Sequence, residues 1–510
     1  MKLNLVVNLK RNVLAAAVNS MIKLLFPFLN RTLFLWLLGP AYLGLNGLFS
    51  SILGVLMLAE LGFGTAVVCS MYKPVAEENR ELLCAYLRFY RTVYRWVGGV
   101  IFLAGLILLP FLRKLVHGSI PPDVNLHLLY LIYLVNTSLS YFLFAYRGSV
   151  LSAYHRQDVL TNIRTAVSVV QYVVMFVVLL VSRNYYFYVL TTVCFTAVQN
   201  LLILYESHKL FPEILPEGKL PESLRAKVIS DVKSIFMHKI GGVITYSTDN
   251  MVISAFLGLV AVAAYGNYYY VYTAVSGIVW TVYYSMASGF GNRIYTDSSE
   301  HNFELFMRFL RLVGIIIVWC ASMMMALYQP FLQEWTRGHA ELIRHMLTPV
   351  LMVLFFYLNQ SRQVLLSFKS GADLWRADRW KPIVAGVVNL TTNILLVIYL
   401  PAKYKLDGVI FSTIIALVLI QIPWESHVVF SEFFNREQER HYWRFQFRFA
   451  LLAVFLCFLT WAAAALIPLK GVLGLLVKGY VAAMVSGGFL LAFFRKDVMD
   501  VIKALRKKKA

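Results

Sequence analysis

The sequence predicts an all-α polytopic membrane protein of about fourteen transmembrane helices. Three observations carry this. Hydrophobic residues make up 59% of the chain and charged residues 14%, where a soluble domain has about 25% charged. Apolar runs of bilayer-crossing length, roughly 20 residues, recur along all 510 positions. Lys and Arg collect between those runs in alternate segments, the pattern that sets orientation in a membrane.

The expected spans are 13–38, 43–71, 93–112, 126–152, 163–182, 185–205, 234–257, 260–289, 306–328, 346–368, 382–400, 407–430, 447–467 and 472–494. With the N-terminus inside, inner segments hold 28 Lys and Arg, outer loops 8, and the spans the remaining 11 of the 47, most of these near span ends. Both termini and the 206–233 segment are therefore expected on the cytoplasmic side, with the turn Gly39-Pro40-Ala41-Tyr42 outside. The first run is too long for a signal-peptide core and leads straight into a second span, so no cleaved signal is expected. The net charge of +21 sits beside hydrophobic spans, which points away from nucleic acid. The basic tail Arg495–Lys509 reads either as a topology anchor against anionic lipid or as a partner site. Cys69, Cys84, Cys194, Cys320 and Cys457 are scattered without CxxC, so no disulfide or zinc framework is implied. There is no P-loop and no His-rich motif, and no cofactor is expected.

Spans 1 and 2 carry polar stripes. Asn19, Lys23 and Asn30 share one helical face, with Arg31 and Thr32 adjoining, and Pro27 frees the carbonyl of Lys23 and predicts a kink. Asn46, Ser50, Leu53, Met57 and Glu60 follow steps of four and three in the second span. A charge inside a span is costly in lipid and is expected to face protein or a water-filled cavity. Lys23 and Glu60 are expected at similar depth, about 15 Å from the inner face, and to pair when that cavity is empty. Such a pair acts either as a gate or as a fixed brace.

An internal repeat is visible. Arg147, Ser152 and Asp158 recur as Arg362, Ser367 and Asp373; Asn30-Arg31 before Gly39 is echoed by Asp249-Asn250 before Gly258; Asn46 is echoed by Asn267. The near-constant offsets predict two pseudo-symmetric six-helix bundles, 1–206 and 234–430, joined by a cytoplasmic loop, 207–233. Residues 431–510 add two appended helices and the basic tail. Arg147 and Arg362 lie about 10 Å inside the cytoplasmic ends of their spans, where they either snorkel to the surface or receive a phosphate.

Span 7 places His238, Gly242, Thr245 and Asp249 on one face beside Lys239 and Asn250. His238 and Lys239 read equally as a surface pair; Asp249 is too deep for either surface and is expected in a cavity. In span 8, Tyr265, Tyr269, Tyr272, Ser276, Trp280 and Tyr283 form a stripe. Tyr265 and Tyr283 suit an interfacial belt, whereas Tyr269 and Tyr272 suit either core packing or sugar stacking. Span 10 holds Asn359-Gln360-Ser361-Arg362-Gln363 and span 11 Asn389, Thr392 and Asn393, polar groups that must bond neighbouring helices.

Several of these residues also carry a resemblance. Asn30-Arg31-Thr32, Leu38-Gly39, Tyr42-Leu43-Gly44-Leu45-Asn46-Gly47-Leu48-Phe49, Ala59-Glu60-Leu61-Gly62 and Tyr72-Lys73-Pro74 resemble the N-terminal signature of bacterial polysaccharide repeat-unit flippases. These are the Wzx-type exporters, or lipopolysaccharide biosynthesis proteins, of the MATE-like multidrug/oligosaccharidyl-lipid/polysaccharide (MOP) superfamily. His238-Lys239, Thr248-Asp249-Asn250 and the stretch Phe368-Lys369 to Asp378-Arg379 with Asn389 resemble the same family, over about residues 20 to 430. Ser370-Gly371-Ala372-Asp373 departs from it, where a small-residue run ending in Gly-Leu is expected.

The resemblance implies a transporter rather than an enzyme. It would carry an undecaprenyl-pyrophosphate-linked oligosaccharide across the bacterial inner membrane by alternating access, for O-antigen, capsule or exopolysaccharide synthesis. A polysaccharide polymerase is a conceivable partner. An anionic head group of that kind needs a wet cationic cavity. Lys23, Arg31, Arg147, Lys239 and Arg362 within spans, set against Glu60 and Asp249, leave a surplus of three positive charges. That balance disfavours a MATE-type exporter of cationic drugs and leaves a lipid II-type flippase open. Glu60 and Asp249 are also candidates to bind a coupling Na+ or proton. The longest outer loop, about 329–345, has only Glu334 and Glu341 as acids, too little for a polymerase or glycosyltransferase site; a scaffold role leaves the buried charges without a use. The expected binding residues are thus Lys23, Asn30, Arg31, Asn46, Arg147, Lys239, Asp249, Asn250, Tyr269, Tyr272, Asn359 and Arg362, with Glu60, Asp249 and Pro27 in gating or ion coupling.

Overall fold

A computed structural model describes residues 22, 24–60, 62–290, 298–372, 374 and 377–495, without the side chains of 59, 234, 235, 237–246 and 284–290. Among the described residues every regular element is helical. Helices start where the sequence supplies a side-chain oxygen for orphan backbone N–H groups. Asn79 caps α4 (Arg80–Leu108), Asn125 caps α5 (Leu126–Phe142), and Asn184 caps α8 (Tyr185–Leu210). Ser298 caps α11 (Ser299–Trp335), and Asn435 with Gln438 forms a capping box on α16 (Arg436–Ala465).

The chain divides into two compact units, the first ending at Ala263 and the second beginning at Ala264. In the first unit, α1 (Leu24–Leu38) and α2 (Pro40–Leu56) are short apolar helices, followed by α3 (Phe63–Ala76). After α4 and α5 come α6 (Gly148–Ala153), α7 (Gln157–Ser182), α8 and the 36-residue α9 (Glu222–Leu257). The tyrosines Tyr86, Tyr90, Tyr94 and Tyr141 pack with Val67, Met71 and Ile101 in its core. Gly98 lets α4 approach α5 closely: a β-carbon there would sit 2.6 Å from that of Tyr141.

The second unit holds α11, α12 (Leu347–Gly371), α13 (Lys381–Tyr399), α14 (Lys405–Ala416), α15 (Ile422–Glu432), α16 and α17 (Gly471–Phe493), with α10 (Leu259–Phe290) spanning the boundary. A π-turn, Leu417–Gln421, links α14 to α15. The central span here is Ala402–Glu432, 61% of whose apolar window is buried, against 17% for α7, whose sides are left for lipid.

Eight described helices are long and apolar enough to cross a membrane, or nine if α5 and α6 are one bent span. The other expected spans fall on helices that are shorter or more polar, and fourteen crossings remains a proposal. Three expectations are corrected. The continuous helix expected over 43–71 is broken by a 3₁₀ turn, Met57–Glu60, and by Gly62, whose φ of 98° only glycine adopts freely. The helix expected over 126–152 bends by 45° between Phe142 and Ala145. The segment 207–233 is not all loop, because α9 starts at Glu222. The kink expected at Pro27 depends on the carbonyl of Lys23, which lies outside the described residues.

Two corners that the sequence pairs share a backbone conformation. Gly39 (φ 100°, ψ 175°) joins α1 to α2, and Gly258 (φ 89°, ψ 177°) joins α9 to α10. Two glycines 219 positions apart thus turn the chain in one and the same left-handed conformation. Next to it, Gly44 lies so close to α10 that a β-carbon would come within 2.0 Å of the Leu259 carbonyl oxygen.

Candidate functional site

In the first unit the polar residues of the expected stripes are tied by tyrosines. Glu60 ends the 3₁₀ turn that interrupts the second span. The Tyr94 hydroxyl donates to its Oε1 at 2.6 Å and that of Tyr141 donates to its Oε2. The Tyr90 ring packs edge-on against Tyr94 at 4.3 Å. Both carboxyl oxygens of Glu60 are thus held by tyrosine hydroxyls among the described residues. Lys23, its expected partner, lies outside the described residues.

Asn30 is buried and accepts from the Tyr188 hydroxyl at 2.7 Å, with Arg31 partly buried on the next position. Asn46 accepts from Tyr133 at 2.9 Å, and Tyr133 touches the Tyr185 hydroxyl at 3.0 Å. Asn250 on α9 donates to Ser51 on α2 at 2.9 Å, and Asp249 beside it is buried. Each of these amides is oriented by a named partner, as a preorganised polar surface requires. His238 and Lys239 fall on α9, but their side chains lie outside the described ones.

Arg147 is not among that set. It is buried in a 3₁₀ turn just before α6, and its Nη1 donates to the Ile214 carbonyl at 2.6 Å. Its Nε has no hydrogen-bond partner among the described residues. Ile214 belongs to a strap over residues 211–220 that is fixed at several points. Arg80 pairs with Glu213, Arg88 donates to the Gly218 carbonyl at 3.1 Å, and Phe211 stacks on Tyr154 at 4.1 Å.

The second unit brings together Tyr272, Asn359 and Arg362. Asn359 donates to the Tyr272 hydroxyl at 2.7 Å, and Arg362 approaches the Asn359 carbonyl oxygen at 3.4 Å. Tyr269 packs against both Tyr265 and Tyr272, extending the row of rings. The Arg362 guanidinium is held by Glu425 of α15 through two bonds, of 2.6 and 2.8 Å. Lys381 bonds Glu425 as well and reaches Asp378 at 2.9 Å; Asp378 in turn bonds Lys369. This is a buried chain of three cations and two anions. In the turn before α13, burial pushes the Asp378 carboxyl up, and the ammonium groups of Lys381 and Lys369 more than reverse that, holding it below the usual carboxylate value.

Sequence reasoning missed most of this chain. Glu425 lies in an apolar run, the same signal that marked Glu60, and setting it too against the five named cations lowers their surplus from three to two. Asp407, at the head of α14, was likewise overlooked. It accepts from Thr348 at 2.6 Å and contacts His345 at 2.9 Å. Asn389 bonds Thr413 at 3.1 Å, meeting the expectation that polar groups in span 11 bond a neighbouring helix. Among the described residues no group of His, Cys, Asp and Glu is arranged to hold a metal.

Long lipid-facing helices, glycine corners and buried charge chains define a multi-pass helical membrane protein. Its fold is similar to those of the solved transporters that follow. The structure is similar to a lipid II flippase, MurJ, in an inward closed conformation, with a TM-score of 0.65 at 15% identity over 94% of this chain and 99% of that one. It is also similar to an inward-facing multidrug-resistance MATE transporter (0.53, 14% identity, 80% and 94% covered) and to the Vibrio cholerae MATE transporter VcmN in its bent form (0.52, 12% identity, 84% and 99% covered). No family model and no curated protein matches the sequence.

Proposed function

We propose that this chain is a Wzx-type flippase that moves an undecaprenyl-pyrophosphate-linked oligosaccharide across the bacterial cytoplasmic membrane by alternating access. Both termini are cytoplasmic in this reading, and the product feeds O-antigen, capsule or exopolysaccharide synthesis. The observation that carries it is the MurJ-like fold along nearly the whole of both chains. The polysaccharide-flippase signature over Asn30 to Pro74 selects the substrate class. A lipid II-type substrate is the second reading, favoured by the same structural likeness. A MATE-type drug exporter stands behind both, since its structural likeness is weaker.

The tyrosine-oriented amides Asn30, Asn46, Asn250 and Asn359, with Tyr269 and Tyr272, suit sugar hydroxyls and sugar faces. Lys23, Arg31, Lys239 and Asp249 complete the proposed lining. Glu60 and Asp249 are the proposed coupling groups for Na+ or a proton. Arg147 and Arg362 are the proposed receptors of the pyrophosphate. Arg362 already grips a carboxylate with its fork, so Glu425 stands where a phosphate oxygen pair would bind, and binding is an exchange of anions.

Purified protein in liposomes tests the reading. Labelled lipid-linked oligosaccharide is expected to cross with no added nucleotide, faster than lipid II or a cationic dye. Preferred transport of lipid II moves the assignment to the second reading, and transport of the dye alone removes both flippase readings.

A further inference from the structure

Two helices carry the same construction on their outer faces. On α16, Arg440 and Arg444 stand one turn apart beside Trp443, with Arg436 a turn further out, and line a shallow groove of about 460 Å³ that also includes Glu439 and Phe447. On α4, Arg91 and Arg95 stand one turn apart beside Trp96 and line a groove of about 290 Å³. None of these arginines makes an ion pair or hydrogen bond with the described residues. That is unlike Arg80 and Arg88 a few positions away, which are held by the strap.

What continues from each pair is as informative. Along α16 the exposed stripe runs Phe447, Leu451, Val454 and Phe458. The opposite stripe, Tyr442, Phe449, Leu456 and Thr460, is buried against the rest of the unit. Along α4 the exposed stripe runs Trp96, Val100, Leu103 and Ile107. Each apolar stripe covers 12 residues of helix, a rise of about 16 Å, which is about one leaflet of a 30 Å hydrocarbon core. Each face therefore has a fork of two guanidinium groups, a tryptophan at the boundary, and an apolar track one acyl chain long. That is the outline of a diacyl phospholipid with an anionic head.

We propose that Arg440 and Arg444, and likewise Arg91 and Arg95, bind the headgroup phosphate of an anionic phospholipid whose acyl chains lie along these tracks. Two features go beyond the general preference of membrane proteins for cytoplasmic cations. The arginines are paired at one-turn spacing without carboxylate partners among the described residues, and arginine can hold a phosphate through two donors where lysine offers a point charge. The groups belong to helix faces that none of the proposed sugar residues occupies, so the proposal does not depend on what the protein transports.

The test uses the full chain, purified in detergent and exchanged against mixed micelles of phosphatidylglycerol and phosphatidylethanolamine, with retained lipid counted by native mass spectrometry. Wild type is expected to retain phosphatidylglycerol in preference by about tenfold or more, each arginine near an anionic lipid adding several-fold. R440Q/R444Q and R91Q/R95Q are each expected to lose one tightly held lipid, and R440K/R444K to retain it with a shorter lifetime. Inorganic phosphate at millimolar concentration is expected not to displace it. Equal retention of the two lipids by wild type, or unchanged retention by both glutamine variants, overturns the proposal. So does displacement by inorganic phosphate, which would make the grooves sites for a free anion. Because wild type alone decides the lipid preference, a variant that fails to fold leaves the result intact.

Discussion

Arg362 and Glu425 are joined by two bonds across α12 and α15, and Glu425 is shared with Lys381. Removing one partner of a buried pair strands a charge and costs about 3–5 kcal/mol, whereas replacing the whole set with apolar groups is often neutral. Glu425→Gln is therefore expected to lower the melting temperature in detergent by many degrees. The combined Arg362→Met, Lys381→Met, Glu425→Leu variant, which leaves Lys369 and Asp378 balanced, is expected to melt closer to wild type. If the triple variant is the less stable protein, the pair is an asset to stability in its own right.

Glu60 gives a sharper division between stability and transport. Tyr94→Phe and Tyr141→Phe each remove one hydrogen bond to the Glu60 carboxyl group, worth about 0.5–1.5 kcal/mol. The two losses are expected to be non-additive, because both hydroxyls serve one carboxylate. A double-mutant cycle on thermal stability measures this; strict additivity would mean the hydroxyls act independently.

Gly44→Ala is expected to be among the most damaging single-methyl changes in the first unit. Its new carbon would meet a backbone oxygen, which cannot rotate away. Overpacking of this kind costs about 1–3 kcal/mol. Gly39→Ala meets no neighbour among the described residues and carries only the backbone penalty of a conformation that glycine alone adopts readily, about 1–3 kcal/mol. Comparing folded yield and melting temperature of the two variants checks the order.

The depressed carboxyl of Asp378 makes stability depend on acidity. Its contribution is fully present above the unfolded-state value, near pH 4, and is lost as pH falls through the lower folded value. Melting temperature is expected to drop on acidification below about pH 4, and less steeply in Asp378→Asn. Parallel curves for the two proteins would place the acid sensitivity elsewhere.

For the proposed pyrophosphate receptors, Arg147→Lys and Arg362→Lys are each expected to slow flipping although charge is kept. Alanine at either position is expected to do at least as much harm. Export by a well-expressed Arg147→Ala, Arg362→Ala double variant at the wild-type rate rules the clamp out.

How much of this was legible in the sequence follows a physical line. Polar residues inside apolar runs are readable, because lipid tolerates them only with partners; Asn30, Asn46, Asn359 and Arg362 were singled out that way, and Tyr272 by the aromatic stripe of span 8. What they bond was not readable, since Tyr188 and Tyr133 come from distant helices. Glu425 was missed although the same rule applies to it. The break before Gly62 had a signal in its glycine. The bend after Phe142 had none: Phe142-Leu143-Phe144-Ala145 is as apolar as its surroundings, and hydropathy windows average over such a turn.

The strap over residues 211–220 bears on how the protein is made. Arg147, Arg80 and Arg88 find their partners in Ile214, Glu213 and Gly218, residues translated only after the last helix of the first predicted bundle. A nascent chain ending at 206 would hold a buried arginine with no acceptor. The ribosome must therefore deliver the first part of the connecting segment before the helices that precede it can close. A fragment meant to fold as the N-terminal half has to extend past residue 220 to do so.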